Sequence, residues 1–542
     1  MTDRLWRWLD TTVLDLARQM RWSFLPPLMV YFAAGVAGLT SIVGVFFIKD
    51  YLGLSAAFLA GLTFWTGIPW TLKMPLGHLV DLMWRWKSLL VYLGASLIAS
   101  SLLIMYLLIS QRAMMSAVMP LEAWYVLAAL LSPVGYVVQD VVADAMTVEA
   151  VPTVRLDGTP VPEAEIKAAH TTMQTLGRFA IISGLVIVAA LNIFMFSGLE
   201  GRPPEAVSQV YARIYLIALA IPLISVAGVI LGEVTLARRI ARMRAEGVGA
   251  DEIRRALAPD EAETKPNVWL LGGGLAFALF TISVGASGMP LAKEVVFAGS
   301  MAIVTFLISR LIRELAPSHA RALIGTAIII FVFRAVPLPG PGLDWFQIDV
   351  LGFDQRFLAV LSLITSALAL AGMVALRPLI AARSIADITV LLSIAAGVLA
   401  LPAIGLYYGL HQWTSALTGG VVDARAIALI NAAIESPLGQ IAMIPMLAWI
   451  AQHAPANLKA TFFAVMASFT NLALSASSLA TRYLNEIFVV TREVRDRATG
   501  AVTVVADYSQ LGVLLIVVAA LGVALPVATV WLVQRSPLKT TQ

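Results

Sequence analysis

Cysteine is absent from the 542 residues, and the five histidines include no pair at ligand spacing. Disulfides, thiolate metal centres and cysteine nucleophiles are thereby excluded, and neither a metal nor a cofactor is expected. Charge is scarce as well. Asp, Glu, Lys and Arg make up 13% of the chain, about half of the roughly 25% in a soluble domain. That shortage excludes a soluble enzyme and a disordered chain. The formal net charge of +4 reads as loops held at a cytoplasmic face, not as a nucleic-acid surface.

What the chain has instead is apolar length: 59% hydrophobic residues and a mean hydropathy of +0.86. A membrane helix needs about 20 consecutive apolar residues. Six such runs lie at 24–48, 57–80, 88–109, 121–146, 168–196 and 211–232. A linker at 233–266 comes next, with seven basic and seven acidic residues. Eight more runs lie at 267–289, 294–312, 321–338, 356–376, 385–408, 426–450, 457–483 and 509–533. The expected architecture is an all-α integral membrane bundle of about 14 spans. Residues 1–23 place Leu5, Leu9, Val13, Leu16 and Met20 on one helical face, the pattern of an amphipathic helix at a membrane surface. The first run, 24–48, is too long for a cleaved signal.

With the N-terminus inside, the cytoplasmic segments hold 23 Lys and Arg, the opposite side 11, and the spans three. This bias places both termini and the 233–266 linker in the cytoplasm, with 534–542 as a cytoplasmic tail. The exception is Arg482, Arg492, Arg495 and Arg497 around the last outer loop. There, 488–494 and 501–505 are rich in β-formers and flank a turn-like 496–500, which predicts a small hairpin.

A repeat marks two halves. Residues 50–62 (DYLGLSAAFLAGL) and 349–361 (DVLGFDQRFLAVL) share seven identities at an offset of 299, and SPVG at 132–135 matches SPLG at 436–439 at an offset of 304. Six-helix halves then occupy 24–232 and 321–533, with 267–313 as an inserted helix pair. Parallel halves are a common plan of secondary transporters.

Motifs narrow the choice. Gly77-His-Leu-Val-Asp81, followed by Arg85 and Lys87, sits between the second and third spans. It resembles the signature loop of the major facilitator superfamily, in which the glycine admits a neighbouring helix and the aspartate faces a helix N-terminus, here the one opened by Asn457. Tyr31–Gly35, Phe47–Asp50, Pro69–Gly77 and Asp140–Glu149 resemble the folate–biopterin transporter family of that superfamily, as does Ala460–Leu472 more loosely. The resemblance implies a gradient-driven carrier of folates or other pteridines. The chain departs from that pattern in a long 150–167 loop, in the inserted pair, and in Met74 between Lys73 and Pro75. The insertion is also similar to that of the peptidoglycan-fragment permeases. The Gly272–Gly274 run lacks the Lys-Ser/Thr and strand of a phosphate loop, and reads as close helix packing.

An ionised side chain at mid-span costs about 2.5–3.5 kcal/mol on insertion scales, so such residues mark candidate sites. Arg178, Arg334 and Glu435 fall near the midplane by helical rise. The two arginines suit a substrate's carboxylates, and Glu435 or Asp140 suits an amino-pyrimidinone edge. A structural ion pair such as Arg178 with Glu435 is the alternative. Asp140 and Asp144, four apart, share a helix face with Tyr136. Two close carboxylates disfavour joint ionisation, which suits proton coupling; a gate network with Lys73, Arg85 or Lys87 is the other reading. Lys73 is a candidate substrate contact or a residue that snorkels, and Tyr136 a stacking partner for a flat ring.

The sequence therefore predicts a major-facilitator-type carrier in a bacterial inner membrane, acting as a monomer on a folate- or pteridine-like anion by proton symport. The alternatives are a muropeptide permease or other organic-anion carrier, and a non-transporting sensor or assembly factor.

Overall fold

The computed structural model describes residues 20–47, 52, 54–83, 86–151, 155, 159, 161–199, 202–250, 253, 268–312, 317–375, 384–441, 459–495 and 502–540. Helix occupies each of the fourteen apolar runs. Pro26 and Pro27 open α1 (Leu25–Val36), where a missing N–H is tolerated, and a 3-10 turn joins it to α2 (Ser41–Phe47). Ser55 caps α3 (Ala56–Gly67), which passes through a 3-10 turn at Ile68–Leu72 into α4 (Lys73–Leu82). Then come α5 (Lys87–Ser110), the short α6 (Arg112–Val118), α7 (Leu121–Glu149), α8 (Glu163–Phe196), α9 (Pro204–Ala218) and α10 (Ala220–Ala245). The inserted pair is α11 (Val268–Ala286) and α12 (Ala292–Ile312). The second half comprises α13 (Pro317–Arg334), the short α14 (Pro341–Asp349), α15 (Gln355–Ala375), α16 (Ile385–Tyr407), the short α17 (Leu410–Leu417), α18 (Ala424–Ile441), α19 (Lys459–Ile487) and α20 (Leu511–Gln534).

By length and composition, eight of the described helical stretches suffice to cross a membrane. Helices satisfy their own backbone groups, which a bilayer demands. Large apolar side chains such as Phe194, Leu223 and Trp269 are exposed on the perimeter, where lipid rather than water would meet them. Packing within each half relies on small residues, as expected where the hydrophobic effect is weak. Where α1 crosses α8, a Cβ on Gly35 would stand 2.1 Å from the Ile181 carbonyl oxygen, and one on Gly184 would stand 2.8 Å from the Gly35 carbonyl carbon.

The halves meet along two seams, α3 with α19 and α8 with α15, and the inserted pair packs over the first, on α3, α4 and α19. Phe64 and Ile68 form a cluster there with Phe277 and Val296. A Cβ on Gly274 would fall 2.4 Å from Pro75, so the glycine run does serve close packing at that position. At the other end Arg482 pairs with Glu294 at 3.0 Å and with Glu486 at 2.8 Å, and the Tyr483 hydroxyl donates to Glu294.

A two-stranded hairpin, β1 (Val494–Arg495) antiparallel to β2 (Val502–Val504), comes after α19. It matches the predicted hairpin; residues 496–500 lie outside the described residues. The bundle thus has a hairpin end, which also carries α14, and a linker end. Arg492, part of the expected exception to the charge bias, is 3% exposed and stacks on Trp345 with its guanidinium carbon 5.4 Å from the ring centroid. Its charge, like that of Arg482, is engaged by the protein.

Two expectations need correction. Gly77–Asp81 is not a loop but part of α4, because nothing after Pro75 breaks the helix and Leu76 and Val80 pack on α7 and α10. Among the described residues no atom lies within 4 Å of a Cβ built on Gly77. Helix α10 also runs on through Ala245, well into the stretch read as linker, with Arg242 and Arg244 in its last turn, where the helix dipole favours cations. The 1–19 part of the amphipathic helix, Arg85 and Asn457 lie outside the described residues.

Candidate functional site

Pro69 sits in the 3-10 turn at Ile68–Leu72, and a tighter turn rotates the succeeding residues relative to an ideal α-helix. Lys73, the first residue beyond it, projects at α7. Its Nζ lies 2.6 Å from Asp140 Oδ2 and 2.7 Å from Asp144 Oδ2. One ammonium therefore bridges two carboxylates a helical turn apart. The Tyr31 hydroxyl of α1 donates to Asp144 Oδ1 at 2.6 Å. Tyr31 can reach α7 because its ring lies flush against α8 at Gly177, where an added Cβ would come within 2.9 Å of the ring.

Arg178, next to that glycine, is exposed. Its charge acts on Tyr31 and Asp140, and on Arg334 in the opposite half. Neither Arg178 nor Arg334 has a carboxylate partner among the described residues. The two guanidiniums, one from each half, repel each other, a setting that favours an anion between them. The adjoining Tyr31–Asp144–Lys73–Asp140 network joins two carboxyl groups to one amino group. Close to Lys73, Asn471 of α19 donates to the Trp70 carbonyl at 3.1 Å, tying the two halves at the kink of the second span.

Of the residues expected from sequence, Lys73, Asp140, Asp144, Arg178 and Arg334 are thus brought into one electrostatic neighbourhood. The gate reading had paired Lys73 with the two aspartates, and that pairing is present. Asp140, also a candidate partner for a ring edge, is engaged by Lys73. Tyr136 stands apart from the network, its ring packed on the apolar cluster that includes Ile98, Leu102 and Ala128. Gly77 and Asp81 lie along α4, and Lys87 opens α5. The side chains of Glu435 and Asp81 lie outside the described residues. Tyr31 was missed as a site residue, although it heads one of the segments that carry the family resemblance. Nothing in periodicity marks a tyrosine on an apolar helix as a carboxylate's donor.

Comparison with known proteins bears on the fold and the family. A folate-biopterin transporter of Synechocystis sp. is 23% identical over 486 residues, covering 88% of this chain and 78% of the relative. A POT family transporter in complex with 5-aminolevulinic acid superposes with a TM-score of 0.60 at 11% identity, over 96% of each chain. The nucleoside transporter NupG, as an aspartate-to-alanine mutant, gives 0.53 at 12% identity, covering 94% of this chain and 99% of its own. These likenesses establish a major-facilitator-type fold. A sequence model of the BT1 family matches residues 34–540; the chain, a multi-pass membrane transporter, belongs to the BT1 family.

Proposed function

We propose that this transporter carries a folate- or pteridine-type organic anion by proton-coupled alternating access between its halves. The observation that carries the reading is the pair Arg178 and Arg334, one from each half, with no acid partner among the described residues and each within the other's field. An anion seated between them would relieve their repulsion and draw the halves together, which is what a carrier needs of its cargo. Each arginine offers a planar fork matched to a carboxylate. The relative named for folate and biopterin favours a pteridine over other anions.

The proton's place is the Asp140–Lys73–Asp144 bridge. With both carboxylates ionised, Lys73 is held by two charges. Protonating one removes half of that hold and frees Lys73 and its helix to move relative to α7. The hairpin end is extracytoplasmic, the linker and both termini are cytoplasmic, the membrane is a bacterial inner membrane, and the carrier acts as a monomer.

Proteoliposomes holding the purified chain test the function. Accumulation of labelled folate under an inward proton gradient, abolished by a protonophore, is the expected result. Uptake of a labelled muropeptide without folate uptake would replace the substrate. Transport of neither would turn the reading towards a sensor or assembly factor.

A further inference from the structure

At the hairpin end, a cavity of about 250 Å³ lies between the halves. Its walls come from α2, α3 and α7 of the first half and from α14 of the second, including Thr63, Thr66, Tyr125, Asp344 and Trp345. Pockets for drug-sized ligands measure about 300–1,000 Å³, so this one takes a single ring system and not a whole folate. The Thr63 and Thr66 hydroxyls donate to the Leu59 and Thr63 carbonyls at 3.0 and 2.9 Å, which leaves their oxygens as acceptors towards the cavity. Trp345 is 2% exposed and fixed by Arg492 stacked on it. Asp344 has no hydrogen-bond or ion-pair partner among the described residues.

A carboxylate with no donor, beside aromatic and aliphatic walls and hydroxyl acceptors, is complementary to a flat ring with adjacent N–H groups. Charge-assisted pairs of that kind are the stronger hydrogen bonds. The Arg178 and Arg334 pair offers the opposite chemistry, donors without a carboxylate partner among the described residues. The two places thus divide a two-ended ligand.

We propose that this cavity is a docking subsite for the pteridine ring, in which Asp344 pairs with the ring's amino-pyrimidinone edge, separate from the arginine site that takes the carboxylate end. The assignment rests on the folate and pteridine reading of the function. It makes Asp344 a specificity residue for the ring, met at the hairpin end before or after the halves rock.

Because the chain has no cysteine, an introduced one reports on this cavity alone. Thr66→Cys in the full chain, in nanodiscs, is labelled with a maleimide in the presence of pterin or of p-aminobenzoylglutamate, while equilibrium dialysis measures pterin binding. Pterin should slow labelling at least fivefold, and p-aminobenzoylglutamate should not. Adding Asp344→Asn should abolish the slowing. Thr63→Cys serves as a second reporter if Thr66→Cys does not fold. Bound pterin that leaves labelling unchanged, or protection that survives Asp344→Asn, overturns the subsite and leaves the transport reading standing. Failure of the unsubstituted chain to bind either pterin or folate overturns that reading, and the subsite with it.

Discussion

If Arg178 and Arg334 hold the substrate's carboxylates as proposed, each acts through charge-assisted bonds worth about 1.5–3 kcal/mol. Since 1.4 kcal/mol is about tenfold in affinity, Arg178→Gln and Arg334→Gln should each weaken folate binding by about 10- to 100-fold, read by dialysis on protein of unchanged melting temperature. An unaltered affinity in either variant would remove that arginine from the site. Asp140→Asn tests the proposed coupling role apart from binding. Net uptake must return the empty carrier with its proton released, whereas exchange needs only the loaded carrier to reorient. The variant should lose accumulation under a proton gradient yet keep exchange, and loss of both would assign Asp140 to binding or structure. Asp344 lies on α14, outside the spans, where burial holds its carboxyl up at about 6. An unfolded chain's aspartate titrates near about 3.9. Between those values the folded protein keeps a proton that the unfolded chain lacks, so this group's contribution falls as pH rises through the interval and stays low above it. Asp344→Asn has no such loss. Its melting temperature should exceed that of the parent by more at pH 7 than at pH 5, and equal differences at both would contradict this.

Helix elements carry the packing that holds those residues in place. At the α1–α8 crossing, backbone meets backbone, and neither chain can yield to a new side chain. Gly184→Val should lower the melting temperature and the yield of folded protein, since overpacking costs about 1–3 kcal/mol. Gly77→Ala, with open space around it among the described residues, should fold like the parent in the same size-exclusion assay. A large loss at Gly77 would show that the residues around it pack more tightly than this. The same contrast explains what was legible in the sequence. Apolar runs of bilayer length and mid-span charges announce themselves, because lipid exacts the same requirement at every such position, and the β segment does so through its β-formers and the turn-like residues between them. A helix's partner is not announced. Gly77 fitted a motif and has open space around it among the described residues, whereas Gly177 and Gly184 belong to no motif and are filled to contact. Asp140, Asp144 and Lys73 could be named individually, but their joining depended on the 3-10 turn around Pro69. Asp344 left no signal, lying in a Pro- and Gly-rich connection without periodicity.

For the whole molecule, the excess of basic residues on one side predicts its orientation. A lone cysteine at Arg242, in the last turn of α10, should resist membrane-impermeant maleimides in intact cells and react once the membrane is opened; labelling in intact cells would invert the molecule. The inserted pair bears on a different property, the route by which other molecules reach the boundary between the halves. It lies over the α3–α19 seam, sealed by Trp65 against Gly285, by Pro75 against Gly274 and by the Arg482–Glu294 pair. Among the described helices none lies across the α8–α15 seam in the same way. The perimeter is therefore two-faced. Under the proposed rocking of the halves, a hydrophobic compound dissolved in the bilayer meets the boundary, among the described helices, from the α8–α15 flank, so that inhibition from the lipid phase and inhibition from water are separable.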